Sequence, residues 1–215
     1  MKLLTASQMK NAELLADCEG LSQAVLMENA ARAAAEIIIR KVAPGGVVVV
    51  CGGGNNGGDG LLCAAALSEA GFSCKVILER GKPGTVAAQL AYDRVQDRLE
   101  IVDFRTDEDA ATELICAADI LVDAVFGIGF HGETDEKAAR LLGIMNSSHA
   151  LKFSLDIPSG CRADDGSTDK NAFMADVTIT FGAYKPAHFI CPAAKKCGEV
   201  LLTDIGIKPE ILEQY

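Results

Sequence analysis

Apolar residues recur along this chain in two alternating rhythms. Short β-rich runs at Val47 to Cys51, Cys74 to Glu79, Glu100 to Phe104, Ile120 to Val125, Leu151 to Asp156, Val177 to Phe181 and Glu199 to Thr203 predict strands. Val47-Val48-Val49-Val50 and Ile120-Leu121-Val122 are apolar on both faces, as a sheet covered by helices on both sides requires. Between the strands, Asp59 to Ala70, Thr85 to Arg98, Glu108 to Ala117 and Glu136 to Ser147 predict helices. Upstream, the alanine-rich stretch from Ser22 to Val42 predicts a long helix, with Ser22 to cap it and Pro44-Gly45-Gly46 to end it. The alternation implies an α/β fold on a mostly parallel sheet with right-handed crossovers. No repeat or long linker divides the 215 residues, so one domain is expected, with a helical N-terminal extension at about 1–43.

Composition narrows the function classes. The formal net charge is −10 and the basic residues are scattered, which argues against nucleic acid or an anionic membrane surface as partner. A local anion site stays open, because backbone N–H groups at a helix N-terminus hold phosphate without a basic side chain. The most apolar stretch, Ala117 to Phe130, is interrupted by Asp119 and Asp123, so no transmembrane helix is expected. Lys10 and Glu13 arrive before a signal-peptide core forms, and the chain reads as soluble, unprocessed and cytoplasmic. Its eight cysteines form no CxxC pair and read as reduced thiols used as small core hydrophobes. The spacing of His188, Cys191 and Cys197 fits no standard zinc set.

In such a sheet ligands bind beyond the C-terminal ends of the strands, and the unusual residues gather there. The first strand runs into Gly52-Gly53-Gly54-Asn55-Asn56-Gly57-Gly58-Asp59-Gly60. A tight turn needs one or two glycines; six suggest positive φ and a close backbone approach to a phosphate. The loop lacks the Lys-Ser/Thr ending of a P-loop, which argues against nucleoside-triphosphate hydrolysis. Gly52, Gly54 and Gly57 satisfy GxGxxG, and Glu79 ends the next strand where a Rossmann acidic residue would hold a ribose. Asp123 ends the fourth strand before a second glycine loop, Gly127-Ile128-Gly129-Phe130-His131-Gly132-Glu133. Asp156 ends the fifth, ahead of Ile157-Pro158-Ser159-Gly160, and Lys185 follows the sixth strand within reach of the same edge. Capping or turn formation would account for either aspartate alone.

Leu26-Met27-Glu28-Asn29-Ala30, Asn55 to Gly60, Asp123-Ala124-Val125-Phe126-Gly127, Asp156 to Gly160 and Asp204-Ile205-Gly206-Ile207 occur in order along almost the whole chain. In these motifs the chain resembles the NAD(P)HX epimerases, the YjeF N-terminal domain proteins, known in animals as apolipoprotein A-I-binding protein. The resemblance implies a Rossmann-like three-layer α/β/α sandwich. It implies inversion at C6 of hydrated NADH or NADPH (NADHX, NADPHX), with a separate or fused dehydratase as partner and a homodimer as the assembly. Carried over by motif, Asn55, Asn56, Gly57, Gly58 and Asp59, with Gly127 to Glu133, would contact the nucleotide, and Asp156 would lie at the reacting ring. Asn56, Asp123 and Ser159 match the family's potassium ligands, and all three offer oxygen to a hard cation. Ala31 and Ala187-His188 depart from the family pattern, in the N-terminal helix and the late loop.

The C6 carbon of the hydrated ring is a carbinolamine, which inverts either through an iminium that water recaptures on the other face or by ring opening to an aldehyde and reclosure; both routes need a proton carrier. Asp156 is expected to fill that role, because burial after an apolar strand would lift its carboxyl toward neutral. Lys185 would polarise the leaving oxygen. Two other readings fit the sequence: a nicotinamide-dependent oxidoreductase using the GxGxxG and Glu79, and a nucleotide-binding module without turnover. The first lacks a visible Tyr-x-x-x-Lys or His–Asp pair to manage a proton.

Overall fold

The structure, a computed structural model, describes residues 2–215. Strands β1 (Gly46–Cys51), β2 (Ser73–Leu78), β3 (Glu100–Asp103), β4 (Ile120–Ala124), β5 (Leu151–Leu155), β6 (Val177–Phe181) and β7 (Glu199–Thr203) build one sheet. Every neighbouring pair is parallel, in the order β3-β2-β1-β4-β5-β6-β7. The order reverses between β1 and β4, whose ends meet at the Cys51–Ala124 register. Such a switch point opens a crevice where the flanking loops part.

Both faces of β1 are covered, as its unbroken valine run requires. Val47, Val49 and Cys51 pack beneath α2 (Gln23–Lys41), α3 (Asn55–Glu69) and α4 (Val86–Val95). Val48 and Val50 face the core made with α5 (Glu108–Ala117) and α6 (Glu136–Ser147). The layers are therefore α/β/α, and the strands fall within a residue of the expected runs at either end. The Ser22 cap is present, its hydroxyl accepting from Val25 N–H at 3.4 Å. Among the described residues no helix is long and apolar enough to cross a membrane.

Two elements differ from the sequence reading. Helix α1 (Ala6–Cys18) lies in the extension expected to be helical, but its bounds do not follow from the hydrophobic pattern, because its buried stripe is Ala6, Met9, Ala12 and Ala16, mostly alanine. Its signal was the capping box, Thr5 with Gln8 three residues on, whose reciprocal bonds both form. Helix α3 starts at Asn55, four residues before the expected Asp59. Glycine disfavours helix interiors, but packing overrides propensity here. A Cβ on Gly57 would lie 1.9 Å from the Gly52 carbonyl oxygen, and one on Gly60 would lie 2.5 Å from the Ala124 side chain. The expected positive φ is also absent: no glycine from Gly52 to Gly60 adopts it. These glycines serve close packing of a helix onto the sheet end.

Candidate active site

A cavity of about 1100 Å³ opens over the switch point. The α3 N-terminus and the loop before it (Gly53, Gly54, Asn55, Asn56, Asp59) form one wall, and Val125 to Phe130 with His131 and Glu133 another. Asp156 and Lys185 lie at the sheet edge, and α1 contributes Lys10, Glu13 and Leu14. Gly54 caps α3 without a side-chain bond, so the helix presents free N–H groups at this wall. Phe126 and Phe130 stack with centroids 4.9 Å apart, an apolar face for a flat ring.

Asp156 is the only non-glycine residue with positive φ among the described residues, at 67°. Such strain persists where the surroundings over-determine it. Its N–H donates to the Ile179 carbonyl at 2.7 Å, and its own carbonyl oxygen is 3.0 Å from His188 Nε2. Its carboxylate forms an ion pair with Lys185 Nζ and accepts from Thr180 Oγ1 at 3.2 Å. Lys185 Nζ is held further by Thr180 Oγ1 and the Phe181 carbonyl, each at 2.9 Å. The sequence puts Lys185 at the same edge as Asp156 without pairing the two. The structure gives Asp156 a lysine partner, 1% exposed, because the β6 exit turns back toward the β5 end.

His188 joins the two. Its Nδ1 accepts the Lys185 N–H at 3.1 Å, so Nε2 carries the proton toward the Asp156 carbonyl. Burial, and then the charge of Lys185, push its pKa down to about 4. Both ring nitrogens are thus engaged with backbone. A neutral histidine in the folded state and a charged one in the unfolded state make this contribution present above about 6.5 and lost as pH falls toward 4. The melting-temperature gap between wild type and His188→Gln is therefore expected to shrink between pH 7 and pH 4. The energetic equivalent is up to about 3 kcal/mol at ~1.4 kcal/mol per unit. A gap constant across that range in a calorimetric titration would contradict the assignment.

Behind the cavity, Asp123 is fully buried, yet both carboxylate oxygens are satisfied. Oδ1 accepts from Ser159 Oγ at 2.5 Å and Val125 N–H at 3.2 Å; Oδ2 accepts from Ser159 N–H at 2.8 Å and Ser154 Oγ at 3.0 Å. Burial outweighs these bonds and lifts its pKa to about 6. Asn56 donates to the Leu155 carbonyl at 3.3 Å, while its Oδ1 is the one buried side-chain polar atom without a partner among the described residues. An orphaned acceptor there is costly unless a donor or cation meets it.

The structure places Asn55, Asn56, Asp59, Gly127, Ile128, Gly129, Phe130, His131, Glu133, Asp156 and Lys185 on one cavity. Gly57, Gly58 and Gly132 do not line it. Gly57 is buried against Gly52, and a Cβ on Gly58 would meet the Met27 sulfur at 2.5 Å. Glu79 reaches the wall but is committed: Arg80 Nε donates to Oε2 at 2.5 Å and Arg105 to Oε1 at 2.7 Å. It is not free for a ribose, which removes the main support for the oxidoreductase reading. Sequence reasoning missed Glu13, Thr180 and His188; nothing but the folded arrangement brings them to Asp156.

Residues 23–187 match the family model described as YjeF-related protein N-terminus. An NAD(P)H-hydrate epimerase of Elusimicrobium minutum is 34% identical over all of both chains. Another, of Rhodopirellula baltica, is 34% identical over 89% of this chain and 78% of its own. A bifunctional NAD(P)H-hydrate repair enzyme Nnr of Archaeoglobus fulgidus is 35% identical over 99% of this chain, which spans 43% of that protein. In fold, the crystal structure of yeast ynu0 (YNL200c) superposes with a TM-score of 0.78 at 22% identity, over 87% of this chain and 83% of the yeast one.

Proposed function

Because the chain belongs to the family of YjeF-related protein N-termini, we propose that it is an NAD(P)H-hydrate epimerase acting at C6 of NADHX and NADPHX. The observation that carries the mechanism is the strained Asp156–Lys185 pair on a cavity large enough for a dinucleotide. The α3 N–H groups face the substrate's phosphates, and the Phe126–Phe130 stack offers a flat ring its apolar wall. C6 bears a hydroxyl and is bonded to the ring nitrogen. When its C–O bond breaks, the nitrogen lone pair forms an iminium; water adding to the opposite face inverts the centre. Asp156 takes the proton from incoming water at the sheet edge, and Lys185, its three N–H donors engaged by Asp156, Thr180 and the Phe181 carbonyl, holds that carboxyl in place.

The fused arrangement of the bifunctional relative supports a dehydratase as functional partner, as a separate protein or on the same chain. The resemblance supports a homodimer. The eight unpaired cysteines suit a reducing compartment, in keeping with the cytoplasm. A coupled assay tests the reading. With a stereospecific dehydratase, its nucleotide cosubstrate and racemic NADPHX, added protein is expected to speed consumption of the slow epimer well beyond spontaneous inversion. Consumption unchanged by the protein would sink it.

Potassium belongs to the same proposal. Asn56, Asp123 and Ser159 would hold it, since all three offer oxygen and the orphaned Asn56 Oδ1 fits a hard monovalent cation. When bound, the ion would supply positive charge that steadies the buried carboxylate and the strand ends beneath the nucleotide. Wild-type melting temperature is expected to rise by several degrees from choline to potassium chloride, the increment that ~1–2 kcal/mol of ion binding gives a domain of this size. Asp123→Ala should erase that increment; an equal increment in both proteins would contradict the site.

A further inference from the structure

An enzyme that interconverts two epimers meets the leaving hydroxyl on one face of the ring in one substrate and on the opposite face in the other. One proton carrier on one wall serves one face. The Asp156–Lys185 pair occupies the sheet edge, so a second group must reach the ring from elsewhere.

Among the cavity-lining carboxylates not yet assigned, Glu13 comes from a wall that no strand end supplies, helix α1. It is partly buried, and among the described residues it makes no hydrogen bond or salt bridge, unlike Glu79 and Asp123. Its helix is fixed to the segment that carries Lys185. Leu4 N–H donates to the Tyr184 carbonyl at 2.9 Å, Tyr184 N–H to the Lys2 carbonyl at 3.0 Å, and Ala6 N–H to Asp164 Oδ1 at 2.6 Å. Glu13 therefore has a set position relative to the Asp156–Lys185 pair, with its carboxyl left over for a ligand.

We propose that Glu13 is the second acid–base residue of the epimerase, serving the face of the nicotinamide ring opposite the Asp156–Lys185 pair. This rests on the epimerase reading. In one direction the Glu13 carboxyl gives its proton to the C6 hydroxyl as the C–O bond breaks, the ring nitrogen lone pair forms the C=N bond, and water leaves. Water then adds to C6 from the other face, the C=N electrons return to nitrogen, and the proton of the incoming water passes to Asp156. Exchange with solvent restores both groups, and the other epimer runs the sequence in reverse.

The protonation range suits this role. Burial, followed by the negative charge of Asp156, raises the Glu13 pKa to about 7, against smaller lowering effects of Lys185 and Lys10. Asp59, the carboxylate on the α3 wall, is also raised well above its ordinary range by burial and by Asp156 and Glu13. The titratable groups that face Glu13 are thus Lys10 on its own helix, Asp156 and Lys185 at the sheet edge, and Asp59 on α3.

Steady-state kinetics on separated epimers of NADPHX, followed by chromatography, tests the role. Glu13→Gln is expected to lower kcat by about 10²–10⁴ with KM within threefold of wild type. The wild-type fall in kcat as pH rises through about 7, in the direction that needs the protonated carboxyl, should vanish in the variant. An active wild type beside a folded Glu13→Gln of unchanged kcat and pH profile overturns the proposal alone. A wild type no faster than the spontaneous reaction overturns the epimerase reading, and the proposal with it. If Glu13→Gln does not fold, Glu13→Asp decides: a displaced pH limb with reduced kcat supports the role, and an unmoved limb with full kcat overturns it.

Discussion

Asp156→Asn is expected to lower kcat by about 10²–10⁴ while leaving KM within a fewfold of wild type. Asparagine tolerates the left-handed backbone at this position, so the φ of 67° survives the change. The amide still accepts from Lys185 and Thr180, but it takes up no proton from water. A stability cost accompanies the loss of activity, because Lys185 keeps only neutral partners in a buried site. Breaking such a pair costs about 3–5 kcal/mol at most, or roughly 6–20 °C in a domain of this size, and the retained acceptor favours the low end. Stopped assays well below the melting temperature separate the two effects. A folded Asp156→Asn with wild-type kcat would remove Asp156 from the chemistry.

The second large effect is structural and falls in the glycine run. Gly57→Ala is expected to destabilise the protein by about 3 kcal/mol or more, lowering the melting temperature by roughly 6–12 °C. Its Cβ would meet the Gly52 carbonyl oxygen at 1.9 Å and the carbonyl carbon at 2.8 Å, both backbone atoms that no rotamer change can clear. Gly54→Ala is the control: nothing lies within 4 Å of a Cβ there, and its melting temperature should stay within about 2 °C of wild type. Equal, small losses at both positions in differential scanning calorimetry would contradict the packing account. Positive φ, expected of these glycines, is not what demands them: none from Gly52 to Gly60 adopts it.

That correction shows where the sequence was legible. The valine run of β1 could be read because burial on both faces leaves no alternation, and the strand ends Asp123 and Asp156 stood out as polar residues closing apolar runs. The glycine run announced a close approach without saying of what. Its neighbours, Val125, Met27 and Ala124, come from elements far apart in the chain. The N-terminal extension was legible as helical, but the bounds and facing of α1 were not, because alanine buries well and signals weakly, and with them went Glu13. Lys185 was placeable only as a residue near the right edge; that it forms an ion pair with Asp156 depends on the turn after β6. His188 looked like a stray metal ligand, yet its nitrogens bond to two backbones that a linear reading cannot bring together.

The central claim is that this cavity inverts C6 of hydrated NAD(P)H, and one measurement addresses it without a coupling enzyme. A single purified epimer of NADPHX is incubated with the protein and sampled by chromatography. The account predicts appearance of the other epimer at a rate proportional to protein concentration, far above the protein-free control, to the same equilibrium from either side. Interconversion at the protein-free rate, whatever the concentration of folded protein, would contradict it.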